Sequence, residues 1–96
     1  MILMLEKTIQ ASIIKWLRSK GIYTVKIQSG YYGKAGVPDI LVCYKGHFLG
    51  FEVKRLGNKA TELQKNNIKQ IISSGGQAFV VYSLEEVKKV INSVQL

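Results

Sequence analysis

The chain has 96 residues, with fourteen Lys and Arg against six Asp and Glu, a formal net charge of +8 and 47% hydrophobic residues. That length suits one domain near the lower limit for a self-sufficient core, and a hydrophobic share this high, with one proline and no low-complexity run, excludes a disordered chain. A compact basic domain is suited to a polyanion, with nucleic acid the first candidate; a merely soluble basic protein is the alternative. Cys43 is the only cysteine and His47 the only histidine, which excludes an intrachain disulfide and a Cys/His zinc site.

Residues 5–20 read as a helix. Leu5, Ile9, Ile13, Trp16 and Leu17 recur at helical spacing as one apolar stripe, and Gly21 fits a left-handed C-cap. Met1 to Leu5 is apolar but too short for a signal segment or a membrane span, so the chain is expected to be intracellular, in the cytoplasm, with no membrane role. Glu6, taken alone, is a first-turn acid favoured by the helix dipole. Residues 22–28 alternate as a half-exposed strand. Residues 29–37 form a loop in which Ser29, Gly30, Gly33, Gly36, Tyr31, Tyr32 and Lys34 offer close backbone approach, stacking and charge to a phosphate backbone; the alternative is an ordinary connector.

A hairpin follows. Asp39 opens a nearly continuous apolar strand to Tyr44, expected to be covered on both faces with Cys43 buried in it. Lys45-Gly46-His47 makes the turn, with His47 as a solvated turn residue. The return strand ends at Glu52-Val53-Lys54. An antiparallel pair sets the start of one strand beside the end of the next, so Asp39 should meet Glu52 and Lys54, and period-two alternation puts Glu52 and Lys54 on one face. Two adjacent acids repel unless a cation neutralises them, and oxygen ligands with open positions suit Mg²⁺ or Mn²⁺. Arg55 to Ala60 is a basic loop. Thr61 with Gln64 has the capping-box pattern and opens a helix with Leu63, Ile68, Ile71 and Ile72 as its buried stripe, ended by Gly75-Gly76. Residues 77–82 read as a strand. Ser83 and Glu86 form a second capping box, before a helix with Leu84, Val87, Ile91 and Val94 on one face. The order is α-β-β-β-α-β-α: an α/β fold with one mixed β-sheet flanked by helices, its last strand parallel to the third through a crossover.

Pro38-Asp39 followed at hairpin spacing by Glu52-Val53-Lys54 resembles the signature of the PD-(D/E)xK nuclease superfamily. Glu6, the Gly36-Val37-Pro38-Asp39-Ile40 run, Arg55 and Gln64 narrow the resemblance to its VRR-NUC branch, which is similar to archaeal-type Holliday-junction resolvases. The resemblance implies a restriction-endonuclease-like core, with residues 1–96 as a single VRR-NUC-like domain. It implies Asp39, Glu52, Lys54 and Gln64 as catalytic residues. A Mg²⁺ or Mn²⁺ ion would be held by Glu6, Asp39, Glu52 and the Val53 carbonyl. It further implies a metal-dependent endonuclease acting as a homodimer on DNA, in particular branched DNA such as four-way junctions. Ser29, Gly30, Lys34, Arg55, Lys59 and Lys65 are the candidate DNA-binding residues, and the apolar residues from Met1 to Leu5 are one candidate dimer face. Two readings stand beside this one: a non-catalytic nucleic-acid-binding domain that keeps the fold, and a general nicking nuclease without junction preference.

Overall fold

A computed structural model of the chain describes residues 4–28 and 35–94. Helix α1 spans Glu6–Ser19, strand β1 Tyr23–Lys26, β2 Ile40–Tyr44, β3 His47–Val53, helix α2 Glu62–Ser73, β4 Gln77–Val81 and α3 Leu84–Ser93. The order is the expected one. The four strands form a single sheet in sequence order, β1–β2 and β2–β3 antiparallel and β3–β4 parallel. Two residues, Lys45 (φ 51°) and Gly46 (φ 83°), join β2 to β3. Both sit at positive φ, as a two-residue turn matched to the twist of its strands requires. His47 therefore belongs to β3, half-buried, and not to the turn where the sequence placed it. Among the described residues, no helix is long and apolar enough to cross a membrane.

Register assigns the side chains to two faces. Ile40 opposite Phe51 and Val42 opposite Leu49 point to one face, joined by Val53 and Val81. There they meet Ile9, Ile13, Ile14 and Leu17 of α1 and Val87 and Ile91 of α3, and this is the core. Phe51 is fully buried and stacks on Phe79 with ring centroids 6.0 Å apart. Leu5, expected in the α1 stripe, is exposed; it is the N-cap residue and precedes the first helical turn.

The second face is covered unevenly. Helix α2 lies over β4 and the adjoining part of β3. Over β1 and β2, no described helix covers this face. Cys43, expected to be buried, is exposed for this reason, and among the described residues no helix covers β2 on this second face. Tyr23 and Phe48 are exposed beside it. Lying over the edge of the sheet, α2 also buries less than its sequence suggests. Leu63 and Ile72 are exposed, Ile68 and Ile71 only partly buried, and its one buried residue is Asn67.

The helix starts follow the sequence closely. Thr61 Oγ1 accepts from the Gln64 N–H at 3.2 Å, while Gln64 Oε1 accepts from the Thr61 N–H at 2.8 Å, closing the capping box. Ser83 Oγ accepts from the Glu86 N–H. The Glu86 carboxylate, however, reaches one residue further back, to the Tyr82 N–H at 2.9 Å, so α3 has half a box plus a tie to the end of β4.

Candidate active site

The hairpin brings Asp39 and Glu52 together at one end of the sheet, on the face that carries α2. Extending the β2–β3 register one step past the Ile40–Phe51 pair sets the two acids opposite each other. Asp39 Oδ2 accepts from the Val53 N–H at 2.8 Å, so the carboxylate is pinned to the end of β3. Glu52 is buried at 2% exposure. Its Oε2 accepts from Gln64 Nε2 at 3.2 Å and faces Lys54 Nζ at 3.8 Å. Its Oε1 is buried and has no hydrogen-bond donor among the described residues. Burial, reinforced by the neighbouring Asp39 carboxylate, pushes the Glu52 carboxyl up to about 8, against the pull of Lys54. A buried acid facing a second acid, with one oxygen without a donor among the described residues, presents carboxylate oxygens of the kind that hard divalent cations take.

Gln64 serves two groups at once. Its Oε1 caps α2 and its Nε2 holds Glu52, so the capping role and the site role belong to opposite ends of one amide.

Glu6 comes from the start of α1. Its Oε2 accepts from Asn58 Nδ2 at 2.9 Å and from the Arg55 N–H at 3.3 Å. The Asn58 bond first, then the Arg55 amide and the charges of Lys54 and Arg55, hold its carboxyl below the ordinary glutamate range, with desolvation opposing them. Its charge reaches Glu52 as a minor influence. Among the described residues, no three acidic, His or Cys side chains converge as a metal-binding group. The oxygens in place are therefore those of Asp39 and Glu52, while Glu6 is engaged with the 55–58 loop.

Of the candidate DNA-binding residues, Arg55 and Lys59 are exposed on the loop directly after β3. Lys65 is exposed on the first turn of α2 and pairs with Glu62 at 3.4 Å, a solvated contact of little energetic weight. Ser29, Gly30 and Lys34 lie outside the described residues.

Two asparagines that the sequence did not single out complete the surroundings. Asn58 holds Glu6 and offers its own carbonyl to the Tyr82 hydroxyl at 3.0 Å. Nothing in its loop marks it. Asn67 is buried and donates to the carbonyls of Leu63 and Ala35. It did leave a signal: it stands between Leu63 and Ile71 at i, i+4 spacing, a polar residue in an apolar row.

The mixed four-stranded sheet flanked by helices is the fold of VRR-NUC nuclease-like domains. Two solved structures bear this out. One described as a VRR_NUC domain is 27% identical with a TM-score of 0.77, the alignment covering 94% of this chain and 97% of the other. A second, a VRR_NUC domain protein, aligns with a TM-score of 0.77 over 95% of this chain and 88% of the other; at 24% identity it speaks for the fold alone. The chain belongs to the archaeal Holliday junction resolvase (Hjc) family, whose profile matches residues 7–96. That span begins just after Glu6. Comparison with curated proteins gives no significant match.

Proposed function

We propose that this domain is a metal-dependent endonuclease that hydrolyses phosphodiester bonds in branched DNA, four-way junctions included, as a homodimer. The observation that carries the reading is the buried Glu52, facing Asp39 with Oε1 lacking a donor while Gln64 and Lys54 attend Oε2. A domain that only bound DNA would gain nothing from a desolvated acid pair on a +8 chain. Asp39, Glu52 and the Val53 carbonyl would hold a Mg²⁺ or Mn²⁺ ion, and Glu6 would join through water or by exchanging its present partners. The bound ion would supply Lewis acidity and lower the pKa of water. Gln64 fixes the rotamer of Glu52. Lys54, held beside Glu52, would orient the attacking water or stabilise the negative charge that builds on the phosphate. Arg55, Lys59 and Lys65, with Ser29, Gly30 and Lys34, would contact the DNA backbone, making binding salt-dependent and largely independent of sequence.

The second copy would sit on the second sheet face over β1 and β2, where no described helix lies. Tyr23, Val25, Leu41, Cys43 and Phe48 line an apolar hollow of about 210 Å³ there. Two +8 chains repel, and this uncharged lining is where they could meet without adding close like-charge contacts. A two-fold axis would then present two sites to the two symmetric strands of a junction. Phe48→Glu, which puts a charge in that contact, is expected to convert a dimer to a monomer in light scattering and to replace paired junction cuts with single nicks. An unchanged mass would exclude this face.

The test of function is cleavage of a labelled four-way junction beside a matched linear duplex, with Mg²⁺, with Mn²⁺ and with chelator. Paired, metal-dependent cuts confined to the junction are expected. Equal cutting of the duplex would replace the resolvase with a nicking nuclease, and salt-sensitive binding without cutting under either metal would leave a binding domain.

A further inference from the structure

Helix α2 touches both arms of the acid pair. Gln64 holds Glu52, and one turn on, on the same side of the helix, Asn67 holds the segment that delivers Asp39. Asn67 is 5% exposed, and asparagine is a poor choice for a helix interior, where a buried apolar residue would add more stability. Its Nδ2 donates to the Leu63 carbonyl at 3.0 Å and to the Ala35 carbonyl at 3.1 Å. The first bond is internal to the helix. The second crosses to the 35–38 segment, four residues before Asp39.

That segment is wedged tightly. Gly36 has φ +84°, and a Cβ there would lie 2.8 Å from Asn67 Nδ2, 2.8 Å from Leu63 Cγ and 2.9 Å from the Leu63 carbonyl oxygen. Pro38 is fully buried, and its Cγ would lie 3.1 Å from a Cβ on Gly50 in β3. Then Asp39 meets the Val53 N–H. The path from Asn67 to the carboxylate thus runs through one hydrogen bond, a glycine pressed on α2, and a proline of fixed φ pressed on β3. Little slack remains in it.

We infer that Asn67 is a positioning residue: by holding the Ala35 carbonyl to α2, it sets the place of Asp39 relative to the Gln64-held Glu52, and so the affinity of the pair for a divalent cation. This rests on the reading of Asp39 and Glu52 as the metal ligands. Removing the Ala35 bond leaves both carboxylates present and Asp39 still bonded to the Val53 and Ile27 N–H groups, but it frees from α2 the segment that leads into Asp39.

The test is calorimetric titration of Mn²⁺ into the intact protein, wild type against Asn67→Leu and Asn67→Ala, with thermal melts of each and single-turnover junction cleavage across a range of Mn²⁺ concentrations. Both variants remove the donor without adding charge, and alanine, smaller than asparagine and a good helix former, decides if the leucine does not fit. The expected result is a Mn²⁺ affinity about tenfold weaker in protein that is fully folded at the titration temperature, the scale of a lost ligand-orienting partner. Cleavage should fall by the same factor at limiting metal and recover at saturating metal, with DNA binding unchanged. A lowered melting temperature with wild-type Mn²⁺ affinity would make Asn67 merely structural and overturn the inference. A wild type that binds no Mn²⁺ would overturn the metal reading itself, a different outcome and visible without the variants.

Discussion

Asp39→Asn is expected to lower junction cleavage on the order of a thousandfold or more while leaving the fold intact. The substitution keeps size and shape. Asn can still accept the Val53 N–H through its amide oxygen, so the end of β3 keeps its partner. It loses the negative charge, half of what the two adjacent carboxylates offer a cation. The same loss relieves Glu52, because the Asp39 charge is the second cause of its raised pKa. The variant should therefore melt no lower than wild type in chelator, bind Mn²⁺ weakly and retain salt-dependent DNA binding through the untouched lysines and arginines. Single-turnover cleavage, Mn²⁺ titration and melting on the same preparation separate these effects. Cleavage within tenfold of wild type would remove Asp39 from the chemistry.

The second large effect concerns Glu52 and pH. Its carboxyl is near 8 in the folded chain against an ordinary 4.5. Below about 4.5, both folded and unfolded chains carry it protonated and it costs nothing. As pH rises past that value, the unfolded chain ionises Glu52 freely while the folded chain does not, so the equilibrium shifts toward unfolding until the folded group also ionises near pH 8. Each unit of such a shift is worth about 1.4 kcal/mol, so the penalty in metal-free protein at pH 8 is on the order of a few kcal/mol. Glu52→Gln removes it. The neutral amide should raise the melting temperature in EDTA by several degrees at pH 8 and little at pH 4.5. Mg²⁺ should reverse the ranking, stabilising the wild type, whose ionised carboxylate it neutralises, and not the glutamine variant, which should also fail to cleave. Melts at both pH values, with EDTA and with Mg²⁺, give the comparison. A glutamine variant less stable than wild type in EDTA at pH 8 would mean that Glu52 is already neutralised within the protein.

Much of this was legible in the residues. The seven elements follow from helical and alternating periodicity. The meeting of Asp39 with Glu52 at one end of a hairpin follows from the order of the two strands, although the turn has two residues, Lys45-Gly46, where the sequence suggested three, and the capping box at Thr61 and Gln64 is a local pattern with a local cause. These depend on interactions within a few residues or across one turn, and backbone geometry transmits them faithfully. Other features depend on where whole elements pack. Periodicity tells which side chains of β2 share a face, but not whether a helix will cover that face. Cys43 was therefore expected inside and is outside, and the open surface it belongs to is visible only once α2 is found over β4. The stripe of α2 pointed to Leu63 and Ile72 as core, whereas its buried residue is Asn67, turned toward a segment 32 positions earlier in the chain. Glu6 shows the same limit. Its place in the first helical turn was evident, but its partners, Arg55 and Asn58, come from a loop 49 and 52 residues away. The sequence by itself determined the strands, the hairpin and the acid pair, because each is set by short-range geometry. Only the tertiary structure decided that Gln64 serves cap and carboxylate together, that Glu6 is held by the 55–58 loop and that α2 covers β4 rather than β1 and β2, because these are set by the docking of α1 and α2 on the sheet, and packing of that kind is a property of the whole chain.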